Sequence, residues 1–171
     1  MTSPKRVGSI EISQDLKFQA RSWRAQRVAW VLMLFVAGAA LLGLFGGGPL
    51  AHGTAGSVES GLRIEYDRFT RLRGQSRMTA EIGASAISSD SLVSVWVDRE
   101  WLDGHDVLSI TPSPKESGLQ ADRVVFTFRA TAGSRPVRIS FVLEPRRFGS
   151  ARGGAGLVGG PTRAFRQIIY P

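Results

Sequence analysis

The chain contains no cysteine and only two histidines among its 171 residues. Without thiols it has neither a disulfide framework nor a thiolate metal site. His52 lies in a small-residue stretch, and His105 lies in the acidic residues 98–106, DREWLDGHD. We interpret this acidic segment as a solvated turn between strands, with an oxygen-rich cation site as the alternative.

The sequence also lacks a recognisable catalytic motif. It contains no nucleophile elbow, no zinc-binding HExxH pair, no P-loop and no dinucleotide-binding glycine pattern. The glycine-rich residues 152–160, RGGAGLVGG, have neither a Lys-Ser/Thr pair nor a following helix, so a flexible loop is predicted there. We therefore expect a protein that is not an enzyme and that binds no metal or cofactor.

Charged residues are absent from residues 28–45, VAWVLMLFVAGAALLGLF. A helix of this length rises roughly 27 Å, close to the ~30 Å hydrocarbon core of a bilayer. A buried core helix usually keeps one polar face, and this segment has none. Because Pro49 ends the helix, a transmembrane helix is predicted over residues 28–49.

The net charge of +8 is unevenly distributed. Residues 1–27 hold six basic and two acidic side chains, whereas no lysine or arginine occurs between Phe45 and Arg63. Because basic residues beside a span stay in the cytoplasm, residues 1–27 are predicted to be a cytoplasmic basic tail of a bacterial inner-membrane protein. The domain after the span is then extracytoplasmic, and the split charge argues against nucleic-acid binding. A signal peptide cleaved near residues 53–55 is the alternative to an uncleaved signal anchor.

Two sets of residues in and beside the span have predicted roles. Basic residues and amphipathic indoles favour the membrane interface, and this set is Arg21, Trp23, Arg24, Arg27 and Trp30. Small residues that recur every four positions allow close helix packing, and this set is Ala39, Gly43 and Gly47. The packing partner is expected to be a multi-pass membrane protein, with a homodimer as the alternative.

From Leu62 onwards apolar and polar residues alternate with a period of two, as in half-buried strands. Strands are predicted at residues 62–67, 78–82, 91–98, 107–111, 123–129, 137–143 and 163–170. The predicted fold is mainly β, with an antiparallel, immunoglobulin-like β-sandwich over residues 62–171 and a small barrel as the alternative. Residues 50–61, rich in Gly, Ala and Ser, are predicted to be a flexible tether.

Arginines are concentrated in residues 65–77, EYDRFTRLRGQSR, where they alternate with apolar side chains. Guanidinium groups suit carboxylates and phosphates, so a partner-docking set is predicted here: Tyr66, Arg68, Phe69, Arg71 and Arg73. A second cluster consists of Arg146, Arg147 and Arg152. The alternative is an ordinary charged strand face, with Glu65, Asp67 and Glu81 as cross-strand partners.

The string Glu65-Tyr66-x-Arg68-Phe69-x-Arg71, placed after a single span, resembles a class of small uncharacterised bacterial single-pass membrane proteins with an exported β-domain. The resemblance covers the span and the first predicted strand. It implies an accessory component of multi-pass membrane proteins of the YetF type, with no catalytic activity.

These features together predict a non-catalytic, single-pass accessory subunit whose span and exported β-domain dock on a multi-pass membrane protein. The alternative is a membrane-anchored binding module that stands alone and binds anionic lipid or an envelope polyanion through its arginines.

Overall fold

The computed structural model describes residues 5–7, 10–12, 16–42, 48, 50–87, 91–130 and 136–171. The chain divides into two compact units, Met1–Ala39 and Ala40–Pro171. Near the N-terminus, strands β1 (Lys5–Val7) and β2 (Ile10–Ile12) pair antiparallel.

Helix α1 spans Leu16–Leu42, so it begins twelve residues before the predicted start of the span at residue 28. The earlier start has a local cause, because residues 16–37 contain no glycine or proline and residues 16–27 are rich in good helix formers. Within α1, Phe18–Leu42 is long and apolar enough to cross a membrane, with a mean hydropathy of 1.8. Residues 43–47 and 49 of the predicted span, which include Gly43 and Gly47, lie outside the described residues.

The second unit is a two-sheet β-sandwich, which confirms the predicted mainly β fold after an apolar N-terminal helix. One sheet has six strands in the order β5-β13-β12-β7-β10-β9, and the other has five in the order β3-β4-β6-β11-β8. All pairs are antiparallel except β5 with β13. The elements are β3 (His52–Ser57), β4 (Leu62–Asp67), β5 (Phe69–Arg71), β6 (Ser76–Ile82), a 3-10 turn (Ala84–Ala86), β7 (Leu92–Asp98), α2 (Arg99–Asp103), β8 (His105–Thr111), β9 (Glu116–Gln120), β10 (Arg123–Arg129), β11 (Val137–Pro145), β12 (Gly149–Leu157) and β13 (Thr162–Tyr170).

The core lies between the two sheets and is built from the apolar side of each alternating strand. In β11, for example, Ile139, Phe141 and Leu143 are fully buried while the residues between them are more exposed. Phe141 meets Phe126 of the opposite sheet edge-on, with ring centroids 5.5 Å apart. Such cross-sheet contacts hold the layers together, since each sheet is apolar on only one face.

The predicted tether over residues 50–61 is wrong for residues 51–57. Residues 52–57 form β3, which pairs with β4 along its whole length, and Ala51 is fully buried. Small residues are needed here because the Tyr66 ring lies over Gly53, where an added Cβ would come within 2.5 Å of Tyr66 Cζ. The sandwich therefore begins at His52, ten residues earlier than predicted.

The predicted glycine-rich loop over residues 152–160 is wrong for residues 152–157, because residues 149–157 form strand β12 between β13 and β7. Its glycines make room for aromatic rings: an added Cβ on Gly153 would lie 2.6 Å from Trp101 Cγ, and one on Gly156 would lie 2.7 Å from Trp96 Cζ2. Glycine in a strand commonly marks such a close approach.

The acidic segment 98–106 is not a solvated turn. It forms helix α2, and His105 begins β8 with its ring buried. His105 Nδ1 bonds the Trp101 carbonyl oxygen at 2.8 Å, and its Nε2 bonds Gln167 Oε1 at 3.1 Å. The Gln167 amide donates to the Asp67 carbonyl oxygen at 3.0 Å and to Ser76 Oγ at 2.7 Å. A buried polar network thus joins the six-stranded sheet to the five-stranded sheet.

Candidate functional site

The predicted docking string runs from the end of β4 through β5 into the following turn. Arg68, Arg71 and Arg73 have exposed side chains, and Phe69 is half-buried. β5 is an edge strand that pairs in parallel with β13, Phe69 opposite Ile168 and Arg71 opposite Tyr170. Four of the five predicted docking residues therefore line one edge of the six-stranded sheet.

Tyr66, the fifth predicted docking residue, has a different environment. It shares the inner face of β4 with the buried Leu62 and Ile64, and its ring lies 5.2 Å from that of Phe165. Its alternation with Glu65 and Asp67 places it towards the core. Tyr66 therefore packs against Phe165 at the margin of the core, rather than standing on the surface among the arginines.

The second arginine cluster meets the docking string at the same end of the sandwich. The Arg73 amide donates to the Pro145 carbonyl oxygen at 3.0 Å, two residues before Arg147, and the Leu72 amide donates to the Tyr170 carbonyl oxygen at 2.7 Å. These backbone contacts join residues that are 72 and 98 positions apart in the sequence. Arg146 differs from its neighbours, because it pairs with Asp106 at 3.6 Å.

Strands β12 and β13 add two further arginines to this end. Arg152 and Arg166 lie directly opposite each other in the antiparallel register, and both side chains are exposed. The Arg166 Nε donates to Ser150 Oγ at 2.9 Å. Like charges in directly opposed positions of a sheet are destabilising. Arg166 was missed by sequence analysis, since its partner strand had been interpreted as a loop.

We define the arginine end of the sandwich as Arg68, Arg71, Arg73, Arg147, Arg152 and Arg166. None of these six guanidinium groups lies within 4.0 Å of a carboxylate in the part of the chain that the structure describes. At neutral pH each carries a full positive charge. The end therefore carries six arginines without a carboxylate ion pair among the described residues, and four carboxylates, those of Asp98, Glu100, Asp103 and Asp122, line a neighbouring depression with Arg147 and Arg152.

The outer face of the five-stranded sheet shows the opposite arrangement. Arg63 pairs with Glu65 and, at 3.8 Å, with Glu81, and Arg138 donates two hydrogen bonds to the same Glu81 carboxylate. The hydrogen bond and the charge of Glu81 raise the pKa of Arg138 above its usual value. The alternative of an ordinary charged strand face with cross-strand partners therefore applies to this sheet, but not to the arginine end.

A depression of about 700 Å³ lies beside the arginine end, between α2, the turn at residues 147–149 and the start of β12. We call it the arginine groove. Its lining includes Arg147, Arg152 and Arg166, one carboxylate from Glu100, and the Phe148 ring, which is 73% exposed. Arginine and aromatic side chains are enriched in protein interfaces, so this groove combines the two residue types that commonly carry binding energy.

The predicted membrane-interface residues all lie between Arg21 and Trp30 of α1, and their side chains are exposed. Trp23, Arg27 and Trp30 share one face by their spacing of four and three residues, and the two indoles are 60% and 57% exposed. Ala39 is half-buried in α1, whereas its predicted helix-packing companions Gly43 and Gly47 lie outside the described residues.

No metal site is found among the described residues, where no three His, Asp or Glu side chains come close enough to hold an ion. Within the acidic segment 98–106, where a cation site was the alternative, both ring nitrogens of His105 face protein oxygen atoms. That segment instead supplies one wall of the arginine groove through Glu100 and Trp101.

No protein-family model matches the chain, and no curated protein matches it in sequence. Among solved structures, the chain is similar to a cohesin module from a Clostridium perfringens family 33 glycoside hydrolase. The two share 14% sequence identity with a TM-score of 0.45, over 69% of this chain and 98% of the module.

Proposed function

We propose that this chain is a single-pass membrane protein that acts as a non-catalytic accessory subunit of a multi-pass membrane protein. The observation that carries the proposal is the surface of α1. None of the residues in its apolar segment Phe18–Leu42 is buried, and large apolar side chains of this segment, such as Phe18, Leu34 and Leu41, are exposed. Exposed apolar surface of this extent is stable in lipid but not in water.

The proposed orientation places residues 1–27 in the cytoplasm of a bacterial cell and the sandwich on the other side of the inner membrane. Basic residues before the span support it, as do Trp23 and Trp30, because indoles favour the headgroup region. Because the chain has no cysteine, the orientation can be tested with single-cysteine variants, Ser3→Cys in the tail and Ser113→Cys in an exposed loop. In intact spheroplasts a membrane-impermeant maleimide should label only Ser113→Cys. Labelling of Ser3→Cys alone would show that the orientation is the reverse of the proposed one.

Docking of the sandwich on the partner is proposed to use the arginine end. Arginines without internal carboxylate partners are available to an acidic surface on the partner. The span holds the sandwich near that surface, which raises its effective concentration, so individually weak contacts are enough.

The test is affinity purification of the full-length protein from its native membrane, followed by mass spectrometry. We expect a stoichiometric multi-pass protein whose recovery falls when Gly43 and Gly47 are both changed to Leu, because Leu side chains prevent close helix approach. Ala37→Leu is the matched control, since Ala37 lies on the side of α1 opposite Ala39. Full recovery of the partner with the double Leu variant would exclude this helix face, and recovery of the protein alone would exclude the accessory role.

A second candidate function is a stand-alone module for anionic lipid or an envelope polyanion, and the observation that favours it is the arginine end, whose six arginines form no ion pair with the described carboxylates. Charge contacts of this kind weaken steeply with salt. The full chain in neutral-lipid nanodiscs should then bind added phosphatidylglycerol vesicles at low salt, and binding should be lost in Arg68→Gln/Arg71→Gln. Absence of vesicle binding would leave the accessory role as the better explanation.

A further inference from the structure

One side of strand β12 is unpaired where it borders the arginine groove. β12 pairs with β13 over residues 149–156, but its other neighbour, β7, reaches only Ala155–Leu157. In the described part of the chain, no other backbone hydrogen bond covers residues 149–152 on that side, and three of these four residues are exposed. The groove therefore contains a short free strand edge with unpaired amide and carbonyl groups.

The lining of the groove itself has an excess of positive charge, and three further carboxylates, those of Asp98, Asp103 and Asp122, line the adjoining depression with Arg147 and Arg152. Three arginines and one glutamate line the groove, so the lining is positive by two charges. The opposed Arg152 and Arg166 repel each other, and the Ser150 hydroxyl holds only one nitrogen of Arg166. The remaining guanidinium donors are available to a ligand, and an anion placed between the two arginines would remove their repulsion.

We propose that the arginine groove binds an extended acidic segment of a partner protein, by main-chain pairing with residues 149–152 and by carboxylate contacts with Arg147, Arg152 and Arg166. Extended peptides commonly add to exposed sheet edges in this way, with side-chain contacts selecting the sequence. The unpaired edge favours a protein segment over a lipid headgroup, because a headgroup has no main chain to pair. The proposal depends on the proposed accessory function in one respect, namely that the molecule bound in the groove is a protein.

A different role for the arginines would be purely protective. Charged residues on a free edge prevent its pairing with other copies of the chain, and many proteins use them for that purpose. In that case Arg152→Gln would promote self-association and would leave the affinity for an acidic peptide unchanged.

The experiment measures peptide binding by fluorescence anisotropy, with the full chain in phosphatidylcholine nanodiscs. The probe is a fluorescein-labelled heptapeptide of alternating Glu and Thr. One comparison peptide replaces Glu with Lys, and a second keeps the Glu residues but carries N-methyl groups on alternate amides along one edge. Arg129→Gln is the matched control variant, because Arg129 is also exposed and also lacks a carboxylate within 4.0 Å among the described residues.

We expect the acidic peptide to bind and its affinity to fall at least tenfold in Arg152→Gln but not in Arg129→Gln. The Lys peptide should not bind, and N-methylation should weaken binding at least tenfold. Absence of binding by the wild type at millimolar peptide would overturn the proposal, as would equal losses in the two variants. Unchanged affinity after N-methylation would remove main-chain pairing and leave a simple anion site open to lipid phosphate.

A second measurement separates ligand binding from a structural role. If no group of the protein neutralises the charge of Arg152, Arg152→Gln should leave the urea midpoint of the free protein unchanged or raise it, because the substitution removes the repulsion between Arg152 and Arg166. A lower midpoint would show that Arg152 is held by the fold itself and would overturn the proposal. Because neither measurement needs the native partner, failure here is distinguishable from failure of co-purification, which tests the accessory role alone.

Discussion

The buried amide of Gln167 should be one of the most sensitive polar groups in the sandwich. It is 2% exposed, its Oε1 lies 3.1 Å from His105 Nε2, and its amide donates to the Asp67 carbonyl oxygen and to Ser76 Oγ. Gln167→Leu keeps an apolar side chain of similar volume at this position and removes all three contacts. The substitution therefore tests the cross-sheet polar network without opening a large cavity.

The expected loss of stability follows from the polar groups that Gln167→Leu leaves without a partner. A buried polar group without a partner costs roughly 1–3 kcal/mol. With three groups at about 1 kcal/mol each, the lower end of that range, Gln167→Leu should lower the free energy of unfolding by about 3 kcal/mol. Domains of this size are typically stable by about 5–15 kcal/mol, so the variant should still fold.

Urea unfolding of the full chain in micelles provides the assay. The far-ultraviolet circular dichroism of the strands and the fluorescence of Trp101, whose ring centroid lies 4.3 Å from that of His105, report on the sandwich. With a urea dependence of about 2 kcal/mol per molar, the midpoint should fall by about 1.5 M. Gln120→Leu is the control, because Gln120 is exposed on edge strand β9 and its replacement should change stability by less than about 0.5 kcal/mol. If the Gln167→Leu midpoint lay within about 0.3 M of wild type, the network would not contribute as argued.

Three further predictions concern packing and charge. Gly153→Ala should cost about 1–3 kcal/mol, because the new Cβ meets the Trp101 ring, whereas Gly118→Ala, with nothing within 4 Å, should be nearly neutral in the same urea assay. Phe141→Ala should cost about 3–5 kcal/mol, since its ring is fully buried; a loss below about 1 kcal/mol would contradict its place in the core. Arg138→Gln should lower the urea midpoint at low salt by removing the pairing with Glu81, and the difference should shrink at 1 M NaCl because Arg138 is largely exposed. An effect that does not depend on salt would point to packing instead.

Strands with alternating apolar side chains could be predicted from the sequence because the signal is local. Residues 62–67 and 123–129 form β4 and β10 with the predicted bounds, and the predicted strand at residues 163–170 differs from β13 by one residue. Each of these segments places one face into the core, so the period of two follows from burial itself. The resulting two-sheet fold was predictable for the same reason.

The glycine-rich strands could not be predicted in this way. β3 and β12 contain the sequences HGTAGS and GSARGGAGL, which carry almost no side-chain alternation. Their extended conformation is imposed by pairing with β4 and β13 and by the rings of Tyr66, Trp101 and Trp96, which lie where side chains would otherwise be. Composition alone favours a flexible linker for both segments, because what makes them strands is pairing and packing with residues far away in the sequence.

The candidate site depends on residues 149–157, which the sequence did not predict to be a strand. Arg152 becomes a neighbour of Arg166 only when residues 149–157 form a strand, and the free edge beside α2 exists only because β7 pairs with the last three of those residues. The arginines could be noticed in the sequence. Their lack of a carboxylate ion pair could not, because ion pairing depends on which strands lie next to each other. Arg63 and Arg138 look no different from Arg152 in the sequence, yet they share Glu81, whereas Arg152 faces another arginine. Strand pairing over long sequence separations, rather than residue type, therefore determines which arginines of this sandwich remain available to a partner.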